Sequence, residues 1–146
     1  MAMNVVKGWP LGGALDHNVA PTAGEGIVAG MFVKRDATTG KLVKADATVK
    51  EVAMFALDDQ GAFDVIEADK IPVLIMNALV ETDQFIAGAY APGDELQVSE
   101  VGGEEGKLKK HLGAGAPTVG WLDDVVTVDG IPMLRLILVG PIGAAA

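Results

Sequence analysis

The sequence predicts an all-β fold, a compact barrel or sandwich built from two related β units behind an extended N-terminal arm. The first observation is a repeat: Gly30, Val33 and then Gly40, Lys41, Leu42 are echoed by Gly93, Leu96 and then Gly106, Lys107, Leu108. Leu57-Asp58-Asp59 is echoed in turn by Leu122-Asp123-Asp124, and Ile71-Pro72-Val73-Leu74 by Ile131-Pro132-Met133-Leu134. Four landmarks in one order point to duplication of a single β unit. The second observation is an apolar share of 50% drawn from small and branched residues, with only 5% aromatics, which suits short strands. The third is the 19 glycines, which supply many turns. At 146 residues the chain holds one domain, or two small halves over a shared core.

Residues 1–25 stand outside the repeat. Asn4 to Trp9 is a possible strand, and Pro10, Gly12, Gly13, Pro21, Gly24 and Gly26 then break the chain too often for a helix. This is read as an arm whose Trp9, Leu11 and Leu15 either fold back over a sheet or dock on a neighbour. The β domain spans 26–140. Its first repeat, about 27–80, has a strand Ile27 to Lys34, a turn over Asp36 to Gly40 and a return strand Lys41 to Lys44. Val52 to Leu57 is a buried strand, Phe63 to Ile66 a short one, and Ile71 to Val80 a nearly continuous apolar run, as expected of a strand covered on both faces. A linker, Glu81 to Ala91, has room for one helical turn. The second repeat, about 90–140, has strands at Glu95 to Ser99, Thr118 to Leu122, Val125 to Val128 and Ile131 to Val139, with an acidic tip over 101–106 and an Asp129-Gly130 turn. Pro72 and Pro132 each fall at a strand start, where a missing N–H does least harm. Residues 141–146 read as a flexible tail.

Charge narrows the partners. With 11 basic and 20 acidic residues the net charge is -9, a field that repels nucleic-acid phosphate and anionic lipid. The basic cluster Lys107, Lys109, Lys110, His111 is better read as a solvated hairpin edge than as an anion-binding surface. The absence of cysteine excludes a disulfide framework and thiol catalysis. MAMNVVKGWP lacks the pattern of a secretory signal, and no run approaches the ~20 apolar residues of a spanning helix.

No catalytic, cofactor-binding or metal-binding constellation emerges. The acidic pairs Asp58-Asp59 and Asp123-Asp124 are adjacent in sequence, and adjacent strand residues point to opposite faces, so turn chemistry is favoured over a cation site. His17 and His111 have no ligand or nucleophile motif nearby. Trp9, Trp121, Tyr90 and Phe85 make either a sugar-stacking platform or, the simpler reading, core. Arg135 inside the last apolar run needs a carboxylate partner or a solvent-facing position, and is either a subunit contact or an outward-pointing strand residue.

The hairpin Gly30 to Leu42, its echo Gly93 to Leu108 after Tyr90-Ala91-Pro92, the Val119-Gly120 step and the closing strand Ile131 to Val139 together resemble the small capsid decoration, or cement, proteins of tailed bacteriophages. The resemblance covers about residues 26–140. It implies a β-rich structural protein without enzymatic activity or cofactor, made in the host cytoplasm and gathered as a homotrimer on the outside of the virion, where it bridges copies of the major capsid protein. Terminal arms in that family make inter-subunit contacts, which makes Trp9, Leu11 and Leu15 candidate partner contacts, and Arg135 joins them as the odd charge inside the last apolar run. The alternative is a carbohydrate- or receptor-binding β module of a virion.

Overall fold

The computed structural model describes residues 3–8, 16–46, 54–61, 70–74, 78–111, 113 and 116–142. They form eleven strands and no helix: β1 (Met3–Gly8), β2 (Asp16–Val19), β3 (Phe32–Arg35), β4 (Leu42–Lys44), β5 (Met54–Ala56), β6 (Ile71–Leu74), β7 (Ala78–Thr82), β8 (Glu95–Val98), β9 (Leu108–Lys110), β10 (Thr118–Val128) and β11 (Ile131–Ile142). Two antiparallel sheets result, a five-stranded one in the order β2-β6-β5-β3-β4 and a six-stranded one in the order β1-β7-β11-β10-β8-β9. Without β1, the second order follows the same pattern as the first.

The correspondence extends to single ladder positions. Phe32 faces Phe55 and Phe55 faces Leu74 across the first sheet. Glu95 faces Trp121 and Trp121 faces Ile137 across the second. After β2 the chain crosses to the far edge of its own sheet, where Pro21 bridges Leu42 in parallel, Thr22 N–H donates to the Leu42 carbonyl and Leu42 N–H to the Ala20 carbonyl. After β7 the same happens: Phe85 bridges Leu108 in parallel, with Ile86 N–H donating to Leu108 and Leu108 N–H to Gln84. These bridges satisfy backbone groups that a short edge strand would otherwise present to a neighbouring chain.

Alternation along the strands creates two apolar clusters. Val19, Ile27, Val33, Leu42, Met54, Ala56, Ile71 and Val73, nearly all from the first sheet, form one. The larger one collects Val80, Leu96, Val98, Leu108, Leu122, Leu134 and Leu136 of the second sheet together with Phe32, Phe55 and Leu74 of the first. The first sheet is therefore buried on both faces, because successive side chains on β3, β5 and β6 enter different clusters. Phe32 and Phe55 meet edge to face with centroids 5.6 Å apart, the arrangement that aromatic quadrupoles favour.

Backbone contacts reinforce this junction. Phe32 N–H donates to the Gly106 carbonyl (2.8 Å), Gly106 N–H to Ala45 (2.8 Å), and the Thr82 hydroxyl to the Gly30 carbonyl (2.9 Å). Gly30 has a φ of 91° and a Cβ there would overlap the Thr82 hydroxyl, so the residue is dictated by both conformation and close approach.

Several expectations need correction. Asp16–Val19, expected within the arm, is strand β2 and pairs along its full length with β6. Its polar DHNV sequence lacks alternation because it is the last strand of its sheet. The single apolar run Ile71 to Val80 is two strands, β6 and β7, in different sheets. The segment after β7, which had room for a helical turn, instead bridges to β9 at Phe85. The strand expected from Ile27 begins only at Phe32, and Thr118 to Leu122 joins Val125 to Val128 in one strand with an irregularity between Leu122 and Asp124. Strand β11 runs on to Ile142, into the expected tail.

Two of the four sequence landmarks also slip. Ile71 faces Val19 as Leu134 faces Thr82, so the ladder equivalent of Ile71 is Leu134 and not Ile131. Ala56, not Leu57, takes the place of Leu122, since Ala56 N–H donates to Met31 as Leu122 N–H does to Asp94. The glycine-hairpin landmarks keep their register.

Candidate interaction surface

Of the candidate contacts, Trp9, Leu11 and Leu15 lie outside the described residues. The expected strand Phe63 to Ile66 lies outside them too. Arg135 is placed by β11 directly opposite Glu81 on β7. Its Nε and Nη2 both donate to Glu81 Oε2, at 3.0 and 2.8 Å. Glu81 is 4% exposed whereas the Arg135 side chain keeps a third of its surface. The pair resolves why a cation interrupts an apolar strand: a buried carboxylate without such donors would cost on the order of several kcal/mol.

Among the described residues, the aromatic candidates Phe85, Tyr90 and Trp121 do not assemble into one platform. Phe85 and Tyr90 stack edge to face, 5.7 Å between centroids, against the larger core. Tyr90 donates its hydroxyl to the Ile86 carbonyl at 2.5 Å, and burial pushes its pKa above the ordinary 10.0. Trp121 lies elsewhere, half-buried on β10, flanked across the ladder by Glu95 and by Ile137, which is 44% exposed.

Several of the remaining polar candidates have structural partners. Asp59 Oδ1 accepts from Ala29 N–H and Asp58 Oδ1 from Asp59 N–H, both at 2.8 Å, so this pair organises the turn after β5. Asp123 and Asp124 are exposed at the irregularity of β10, an environment unlike that of Asp58-Asp59. The basic cluster is laced to carboxylates: Lys107 to Glu104, Lys109 to Glu100 and Lys110 to Asp94. Lys109 holds the Glu100 carboxyl below its ordinary pKa, and the Ala91 N–H does the same for Asp94. The His111 Nε2 lies 2.7 Å from the Ala116 carbonyl and its Nδ1 3.7 Å from Glu95, so the ring links the end of β9 to Ala116 and to β8. His17 is in β2, opposite Val73.

Among the described residues, no three His, Cys, Asp or Glu side chains gather closely enough to hold a metal ion. One concave feature stands out at the bridged edge of the first sheet. There Ala20, Pro21, Ala23, Lys41, Gln60 and Lys70 line an open cleft of about 500 Å³. It lies beside the Pro21–Leu42 bridge, and sequence reasoning missed it because strand β2 and the crossing at Pro21 were not expected.

The described residues thus present paired charges, an open cleft and a partly apolar sheet face. No known protein-family model matches the sequence, and no characterised protein is significantly similar to it.

Proposed function

We propose that this chain is a non-enzymatic structural protein of a bacteriophage virion, which binds the outer surface of the capsid as a homotrimer and stabilises the shell. The observation that carries the reading is the common strand pattern of the two sheets, each with its bridge to the far edge. It supports an origin by duplication of one small barrel-like unit, within which lie the glycine-turn hairpin Gly30 to Leu42 and its echo Gly93 to Leu108 that carry the resemblance to decoration proteins. A cement protein acts by adding modest contacts at many symmetric positions, where multivalency converts weak binding into firm attachment. Such a role calls for a rigid body and an adaptable appendage. The two-sheet core supplies the first, and the candidate for the second is β1, which adds to the edge of the second sheet outside the strand pattern that the two sheets share.

The test is co-sedimentation with expanded, undecorated phage heads, counting bound copies per head. Saturation at a copy number set by shell symmetry is expected. Absence of binding at micromolar chain overturns the reading and turns attention to glycan binding through Trp121. Removing residues 1–8, which spares β2, is expected to weaken capsid binding while leaving the core folded.

A further inference from the structure

The contact between the two sheets has a direction. The first sheet contributes the face carrying Phe32, Phe55 and Leu74, and this face enters the core of the second. The second contributes its bridged edge, where Thr82 reaches Gly30 and Gly106 is hydrogen-bonded to Phe32 and Ala45. Because the sheets share one strand pattern, each has a face and a bridged edge at corresponding positions, with Glu95 at the position of Phe32 and Val19 at that of Thr82, yet one chain uses only one of each. The unused face is that of the second sheet, where Trp121 and Ile137 occupy the ladder positions of Phe55 and Leu74. Phe55 and Leu74 are 0% and 3% exposed, whereas Ile137 is 44% exposed. The unused edge is that of the first sheet, and there the open cleft lies.

We infer that copies of this chain associate head to tail, with the face bearing Trp121 and Ile137 of one copy seated in the cleft formed by Ala20, Pro21 and Lys41 of the next. Charge favours the match: Asp123 and Asp124 are exposed beside Trp121, and Lys41 and Lys70 line the cleft. Such a contact is heterologous, so it propagates from copy to copy and terminates only by closing into a ring. The contact uses between chains the strand positions that the junction uses within one, without the Thr82–Gly30 hydrogen bond, because Val19 stands at the position of Thr82. This deepens the homotrimer of the reading above and does not depend on capsid binding: a monomeric chain overturns the contact and the trimer, whereas heads that bind no chain overturn only the capsid role.

The test uses the full chain and two variants, each blocked on one surface. Ile137→Asp spoils the face, and Ala23→Trp with Lys41→Glu fills the cleft and reverses its charge. By sedimentation equilibrium at roughly 100 μM, well above the micromolar Kd that an interface of standard size reaches, the natural chain is expected at a whole multiple, three or more, of its 15.0 kDa. Each blocked variant alone is expected at the mass of one chain. Their equimolar mixture retains one intact contact and is expected to stop at pairs, which also shows that both variants are folded. If Ile137→Asp fails to fold, Asp124→Lys at its exposed position takes its place. A monomeric natural chain, or blocked variants that assemble as the natural chain does, overturns the inference.

Discussion

Arg135 stands where an apolar side chain would fit the pattern of its strand, and Glu81 opposite explains it. Replacing Arg135 by Met leaves the carboxylate of a 4% exposed residue short of two donors, and is expected to cost about 1–3 kcal/mol, below the fully buried case because Arg135 is partly solvated. Urea denaturation measures the loss, and adding Glu81→Gln is expected to recover part of it. Gly120 is constrained by packing: a Cβ there would lie 2.8 Å from Leu136 Cδ1 and 2.9 Å from the Ile137 carbonyl. Gly120→Ala is therefore expected to destabilise by about 1–3 kcal/mol through overpacking, read by the same method. Tyr90 is the only tyrosine, so its ionisation can be followed directly by absorbance. Its folded pKa is raised, so the stability linked to its proton is complete below pH 10.0 and is lost as pH rises through the folded value; ionisation is expected to begin later than in the urea-unfolded chain. Arg135 was legible in the sequence as a charge needing a partner. Its partner was not, because Glu81 is 54 positions away and only the pairing of β7 with β11 brings them together.

Turns were the most legible elements, since their chemistry is local. Asp129 and Gly130 both have positive φ, 50° and 79°, in the two-residue hairpin loop that the Asp-Gly dipeptide signals. In the turn between β3 and β4, Asp36 Oδ1 accepts from the Thr38 and Thr39 N–H groups at 2.8 Å each, and these bonds hold its pKa below 3.8, with that to Thr39 the stronger cause. Asp94 and Glu100 are lowered as well, by the Ala91 N–H and by Lys109 respectively. A lowered folded pKa contributes stability that is present above the unfolded value and lost as pH falls through the folded one. The urea midpoint is thus expected to decline from about pH 4.5 to below 3.8, and Asp36→Asn, Asp94→Asn and Glu100→Gln together to flatten that decline. Strand β2 was illegible for the opposite reason. Its DHNV sequence carries no period, and its place depends on β6, more than fifty residues later. The split of Ile71 to Val80 into β6 and β7 was hidden because both strands are apolar and periodicity cannot show a change of sheet.

At the scale of the molecule, the all-β class was legible and the assembly of the two sheets was not. Glycine hairpins announce the units, but nothing local says that one face of the first sheet completes the core of the second. That shared core predicts a single cooperative transition. Phe55→Ala, a truncation in the first sheet, is expected to cost about 3–5 kcal/mol and to shift tryptophan fluorescence of Trp121, in a Trp9→Phe background, together with far-ultraviolet circular dichroism. Separate transitions by the two probes would show that the sheets unfold independently. The six-stranded sheet carries a further implication. Strands β1 and β11 flank β7 and both run antiparallel to it, so the first and last strands of the chain run parallel to each other. Met3 faces Thr82, which faces Leu134, while Ile142 lies farther along β11, so a force drawing the two ends apart acts along the strands. The ladder bonds on either side of β7 are then loaded in shear, all at once, instead of being peeled open singly. Single-molecule stretching from the two termini is expected to meet high resistance before the first rupture, because tension along β1 and β11 has to break many ladder bonds together.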